Sequence, residues 1–260
     1  MTSYVTSADG TRIAFDRFGK GPPLVVVGGL LCDRQKTQEM AEQLARQFSV
    51  INYDRRGRGE SGDTVPYAVE REVEDLGALI AEAGGSAAVY GHSSGAGLAL
   101  NATARALPIT RLVLHEPPYS TDDDESKESA RDLATKVCAA LAKDRRADAI
   151  KLFFGAYGLP PEMVEEMSSD PKMRSMAPTM AYDIEIMGEI GRGGAIPEDL
   201  VRAVFVPTLV IVGAASPDFF RDTAVRIAEM LPNGRHVVFE GDHEAPADQV
   251  APVVAEFLAT

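Results

Sequence analysis

Apolar positions along the 260-residue chain gather into two kinds of run. Leu24-Val25-Val26-Val27, Val50-Ile51-Asn52-Tyr53, Leu112-Val113-Leu114 and Thr208-Leu209-Val210-Ile211-Val212 are short and nearly uninterrupted, the pattern of strands buried on both faces. Ala87-Ala88-Val89-Tyr90 belongs with them, and residues 235–239 read as a further strand. Between them lie stretches of helical spacing at 37–47, 69–83, 221–231 and 250–258, with an Ala/Leu helix running on from Ser94. Residues 4–6 and 12–15, around Ala8-Asp9-Gly10, read as an opening hairpin. Strand and helix in alternation predict a mostly parallel sheet covered by helices on both faces.

The alternation stops between Tyr119 and Glu198. Apolar strand runs disappear, and charged helical stretches follow one another at 127–143, 147–154, 162–167 and 179–188. Six of the nine methionines fall between Met163 and Met187. This texture predicts a helical segment, residues 119–199, inserted as a cap into a core made of residues 1–118 and 200–260. There is no internal repeat, low-complexity tract or flexible linker.

Chemistry concentrates where the run 87–90 passes through Gly91-His92-Ser93-Ser94-Gly95 into a helix. A serine in a sharp strand-to-helix turn takes a strained backbone, and chain segments crowd it two positions before and two after. Gly91 and Gly95 supply the room, so Ser93 is the candidate nucleophile. Ser94, flanked by His92 and Ala96 at those distances, is not. The turn lifts Ser93 Oγ off the sheet and offers the Ser94 N–H to an incoming anion.

Composition narrows the picture further. A formal charge of −13 argues against nucleic acid, anionic membrane surfaces and strongly anionic substrates. The opening Met-Thr-Ser-Tyr-Val-Thr-Ser has neither a basic lead-in nor an apolar core, and no run is long enough to cross a bilayer, so a cytoplasmic location is the expectation. Cys32 and Cys138 are expected to be buried free thiols. Neither has a Cys or His at ligand spacing, so no metal is expected.

Taken together, the elbow at 91–95, the loop at 53–62, the strand at 207–213 and Gly241-Asp242-His243 resemble the α/β-hydrolase family over essentially the whole chain. The resemblance implies an eight-stranded, mostly parallel sheet with a cap after the sixth strand, and a nucleophile–acid–histidine triad in that chain order. His243, in a loop after the last strand, is the expected base. The acid departs from the commonest pattern, because the Gly-x-x-Asp after the seventh strand reads Gly213-Ala214-Ala215-Ser216. Glu116, at the end of the sixth strand and stiffened by Pro117 and Pro118, is the expected acid, with Asp218, two residues beyond the usual place, as the runner-up. The backbone N–H groups of Leu30 and Ser94 are the expected oxyanion donors. The loop at 54–62 reads as structural, its arginines pairing with nearby acids.

The expected activity is that of a serine hydrolase acting on small or medium hydrophobic esters, with no cofactor. Gly29, His92, Phe153, Phe154, Tyr157 and Met163 are the expected pocket residues. Carbon–carbon bond hydrolysis and cofactor-free perhydrolysis use similar triads and stay open. So does a non-catalytic fold that binds a small ligand. The expected assembly is a monomer or a homodimer.

Overall fold

The computed structural model describes residues 2–120 and 123–260. In chain order the elements are β1 (Ser3–Thr6), β2 (Arg12–Phe18), β3 (Pro23–Val27), α1 (Gln38–Leu44), β4 (Ser49–Tyr53), α2 (Val69–Glu82), β5 (Ala87–His92), α3 (Ser94–Ala104) and β6 (Ile109–His115). The insert follows as α4 (Asp124–Leu141), α5 (Arg146–Ala156), α6 (Pro161–Ser169), α7 (Pro171–Met176), a 3₁₀ turn (Ala177–Thr179), α8 (Met180–Met187) and α9 (Glu189–Arg192), after which α10 (Glu198–Arg202) packs with the core. The core resumes with β7 (Thr208–Gly213), α11 (Asp218–Met230), β8 (Gly234–Phe239) and α12 (Ala247–Ala259). The short α9 and α10 fall outside the helical stretches expected from spacing, because four or five residues are too few to show a period.

The eight strands form one sheet in the order β1-β2-β4-β3-β5-β6-β7-β8. β1 and β2 pair antiparallel, as does β2 with β4; the remaining pairs are parallel. The sheet is therefore mixed and mostly parallel, with the helical insert after β6. Side chains alternate along each buried strand. On β3, Val25 and Val27 face the layer of α2, α3 and α11, where Leu76, Leu79, Leu98 and Ile227 pack. Leu24 and Val26 face the opposite layer of α1 and α12, with Leu44, Val250 and Val254. Being covered on both faces is what makes these strands read as unbroken apolar runs.

Within the insert, Ala134, Val137, Ile150, Met176, Met180 and Ile184 form a cluster of their own that takes in Leu31 of the core. Most of the insert's methionines thus pack its interior. The insert leaves and rejoins the core at one point, where Ser120 N–H donates to the Gly194 carbonyl at 2.8 Å. No helix among the described residues is long and apolar enough to cross a membrane. Both cysteines are free but only half-buried, which corrects the expectation of buried thiols; they sit in a loop and on a partly exposed helix rather than in the sheet core.

The chain turns back tightly on itself at the β5–α3 junction. A Cβ on Gly95 would lie 2.5 Å from the Val27 carbonyl oxygen and 2.6 Å from that of Gly28. Backbone cannot yield as a flexible side chain does. Gly95→Ala is expected to lower unfolding free energy by roughly 2–4 kcal/mol, the range of severe core overpacking. Urea denaturation checks this, and a change within about 0.5 kcal/mol would contradict it.

Candidate active site

The parallel strands β3, β5, β6 and β7 all end on the same edge of the sheet, and the order reverses between β3 and β5. Connections leave that point in opposite directions, which opens a crevice beyond the strand ends. Ser93 stands there between β5 and α3 with φ 55° and ψ −128°, a region that a non-glycine residue occupies only when its surroundings impose it. Its own N–H donates to the His115 carbonyl at 2.8 Å. A Cβ on Gly91 would meet the Gly95 oxygen at 2.5 Å, and one on Gly29 would meet Ser93 Cβ at 2.9 Å. The three glycines let β3, β5 and α3 converge on the serine.

Glu116 follows β6 directly, with φ 46° and a fully buried side chain. Its Oε1 accepts the Gly213 N–H at 2.7 Å and the Ser216 hydroxyl at 2.6 Å. Its Oε2 faces His243 Nδ1 at 2.6 Å. Burial works against ionisation, but these bonds outweigh it and hold the carboxyl below its ordinary pKa. Asp218, the other candidate, lies at the start of α11, points to solvent and pairs with Arg221. The structure therefore pairs His243 with Glu116 and not with Asp218.

The His243 loop is held on two further sides. The His92 Nε2–H donates to the His243 carbonyl at 3.1 Å. Burial, with the neighbouring His243, lowers the His92 pKa to about 3 and keeps that ring neutral. Phe220 stacks on the His243 ring with centroids 4.9 Å apart. Ser93 Oγ makes no hydrogen bond to any described residue; it and His243 border the same cavity.

That cavity has a volume of about 370 Å³. Gly29, His92, Phe153, Phe154, Tyr157 and Met163 all line it, as do Leu30 and Ser94. The methionines contribute less wall than their number suggests: Met163 and Met187 reach the cavity. No group of three or more His, Cys, Asp or Glu among the described residues is arranged to hold a metal.

Two polar side chains beyond those expected from the sequence also contact this constellation. Ser216 occupies the place of the usual carboxylate and donates to Glu116. Asp183 of α8 lines the cavity, and its Oδ1 accepts the Ser94 hydroxyl at 2.7 Å. It is also paired with Arg55 and Arg58 of the loop after β4, so those arginines find one of their acids far along the chain rather than nearby. A sequence signal for Asp183 exists. Met180, Asp183, Ile184 and Met187 share one face of α8, which places a lone carboxylate on an apolar stripe.

A sequence profile of the alpha/beta hydrolase family matches residues 24–256, and the chain belongs to that family. An alpha/beta hydrolase from Sphaerobacter thermophilus superimposes with a TM-score of 0.88 at 47% identity, over 98% of this chain and all (100%) of that one. A thermophilic esterase from Thermogutta terrifontis, solved with malate bound, gives a TM-score of 0.70 at 26% identity over 100% of this chain and 98% of its own. N-formylmaleamate deformylase from Pseudomonas putida is 37% identical over 129 residues, 46% of this chain and 48% of that protein. The chain thus matches about half the length of the curated relatives, 48% and 54% of the two compared.

The buried carboxylate carries a pH signature. The folded-state pKa of Glu116 lies below the value of about 4.3 for an unfolded glutamate, so its bonds stabilise the fold above that value. The contribution is lost as pH falls through the folded pKa. Glu116→Gln should therefore be destabilised relative to the parent at pH 7, with the gap closing towards pH 3. Denaturant titrations at pH 7, 5 and 3 check this; a gap independent of pH would contradict it.

Proposed function

We propose that this chain is a serine hydrolase that cleaves carboxylic esters of small or medium, uncharged or cationic hydrophobic substrates through an acyl-enzyme on Ser93. The observation that carries this reading is that Ser93, at a strained strand–helix turn, and His243, paired with Glu116, border one largely apolar cavity. In the reaction Ser93 Oγ attacks the ester carbonyl carbon and His243 takes its proton. Glu116 holds the imidazole with its Nδ1 proton inward and stabilises the imidazolium that forms. The N–H groups of Leu30 and Ser94 take the charge that develops on the carbonyl oxygen. His243 then returns the proton to the departing alcohol, and water, deprotonated by the same histidine, releases the acid.

The cavity wall supports the substrate class. Asp183, Glu189 and Glu244 are the charged side chains among its carboxylates and amines, and neither Lys nor Arg lines it. A substrate carboxylate would find no cation there. Burial, and then the charge of Asp183, raise the Glu189 pKa to about 7. The group therefore passes from a neutral hydrogen-bond donor to an anion across the neutral range. The resemblance to an esterase at 26% identity supports ester cleavage as the reaction.

The first test is labelling with a fluorophosphonate followed by peptide mass spectrometry. Modification of Ser93, lost in His243→Ala, supports the reading; folded protein that stays unlabelled overturns it and leaves a ligand-binding role. Glu116→Gln should lower kcat by about 10³–10⁴, because the amide favours the wrong tautomer, whereas Asp218→Asn should leave it unchanged.

A second prediction concerns charge. A neutral butyrate ester should exceed a succinate half-ester of the same alcohol in kcat/KM by at least about tenfold, or roughly 1.4 kcal/mol. The ratio should widen between pH 6 and 8 as Glu189 ionises, and Glu189→Gln should remove that widening. A ratio that narrows with rising pH would contradict the assignment.

A further inference from the structure

We propose that Arg58 and Asp183 are positioning residues for the oxyanion hole: together they fix the two chain segments whose N–H groups, Leu30 and Ser94, receive the developing negative charge. The inference rests on the esterase reading above and adds to it the residues that set the hole's geometry, one of them supplied by the insert.

The argument begins with the peptide unit between Gly29 and Leu30. A trans peptide is planar, with its C=O and N–H pointing in opposite directions. Whatever holds the Gly29 carbonyl therefore aims the Leu30 N–H. Arg58 Nη1 donates to that carbonyl at 2.5 Å. Arg55 Nη1 reaches the preceding carbonyl, of Gly28, at 3.3 Å. The Gly28–Gly29 segment has no side chain to fix its conformation, so these guanidinium contacts replace what a packed side chain would do elsewhere.

The second donor, the Ser94 N–H, opens α3. Its side chain is tied to Asp183 Oδ1 at 2.7 Å. The same oxygen accepts from Arg55 Nη1 at 2.7 Å, and Oδ2 accepts from Arg58 Nη2 at 2.6 Å. Arg58 Nε, finally, donates to Thr179 Oγ1 at 3.1 Å. One carboxylate thus links the side chain of the second donor residue to the guanidinium that aims the first. Ser94, Arg55, Arg58, Thr179 and Asp183 are all at most 3% exposed.

Charge within the group is matched: Arg55 and Arg58 against Asp183 and Glu72, with Glu72 bidentate on Arg55. Burial alone would push the Asp183 carboxyl up, but the two guanidinium charges outweigh it and keep the group ionised. Desolvating such ions is costly, and apolar packing often serves stability as well. What apolar packing lacks is a donor for the Gly29 carbonyl and an acceptor for the Ser94 hydroxyl. The close seating of α8 on α3 completes the device. A Cβ on Gly97 would lie 2.6 Å from Met187 Sδ and 3.2 Å from Ile186 Cγ2, so the two helices pack closely beside Asp183.

The test compares the parent with Ser94→Ala, Arg58→Lys and Asp183→Asn. Ser94→Ala leaves the N–H and no unpaired ion, and Arg58→Lys keeps the charge, so these two carry the test if Asp183→Asn fails to fold. Each is assayed for kcat and KM on a neutral p-nitrophenyl ester, for its rate of inactivation by the fluorophosphonate, and for affinity towards a trifluoromethyl ketone, which forms an oxyanion on Ser93. A methylene analogue of the ester, with no carbonyl, measures ground-state binding, and thermal unfolding measures stability.

The expected result is a parallel fall of roughly 10- to 100-fold in kcat, inactivation rate and ketone affinity, the scale of a misplaced donor. KM and binding of the methylene analogue should stay within about threefold, a split that simple loosening of the fold would not give. Variants that react at the parental rate, or lose ground-state binding to the same degree, would overturn the positioning role while the esterase reading stands. A parent enzyme inert to the fluorophosphonate would overturn both.

Discussion

The close approach of backbone to backbone around Ser93 governs the rest of the structure. Gly29, Gly91 and Gly95 lie where a single added carbon would overlap a neighbouring strand or turn, so β3, β5 and α3 meet with no side chain between them. That contact holds Ser93 at φ 55°. Its N–H bonds to the His115 carbonyl, which carries the constraint to the next strand and to Glu116, itself at φ 46°. Each such residue costs of order 1–3 kcal/mol, and persists because the parallel strands beneath allow no alternative. Placing a serine and a carboxylate at adjacent strand ends is thus a property of the sheet, with the side chains only completing it.

Charge is the second constraint. A surplus of 13 negative charges keeps the surface anionic, while the interior holds closely matched groups. Arg55, Arg56 and Arg58 are almost wholly buried, and each meets a carboxylate: Glu72 and Asp183, Asp75, and Asp183 again. The insert is therefore more than a cover laid over the crevice. It delivers a buried carboxylate into the core's own ion network, so lifting α8 away would leave Arg58 without a carboxylate and Arg55 with Glu72 alone. Its apolar cluster, with Leu31 drawn in from the core, resists the same motion. A segment fastened in this way shapes the cavity by its static position.

How much of this was legible in the sequence depended on the range of each contact. Strands buried on both faces announce themselves as apolar runs, and the β5–α3 turn does so through its two glycines, because the cause and the residues are neighbours. The sheet and the position of Ser93 follow. Glu116 was visible as the favoured acid, a carboxylate at a strand end backed by two prolines, but those local signs alone do not remove Asp218. The difference lies in burial, and in partners 97 and 127 residues away. Asp183 was less visible still, since Arg55 is 128 residues from it. The lone acid on the apolar stripe of α8 was the available sign, and reading it required knowing that an arginine lay opposite. The half-burial of the cysteines was likewise settled by packing that no motif records.

Ser216 shows how such distant positions constrain each other. In the pattern this chain resembles, a carboxylate commonly follows the seventh strand, and here the sequence has serine. Read alone, that serine suggests a lost function. In the structure its hydroxyl donates to Glu116 Oε1 at 2.6 Å, on the side of the carboxylate away from His243. An aspartate at 216 would set two carboxylates at hydrogen-bond distance in a buried site, and one of them would have to take up a proton. The glutamate at the end of β6 and the serine after β7 are therefore compatible with each other in a way that two acids are not. Moving the carboxylate to the neighbouring strand turns the old position from an acceptor of the histidine's hydrogen bond into a donor to the new acid. The departure from the common motif, which weakens the case for chemistry when read along the chain, strengthens the pairing of Glu116 with His243 when read across the sheet.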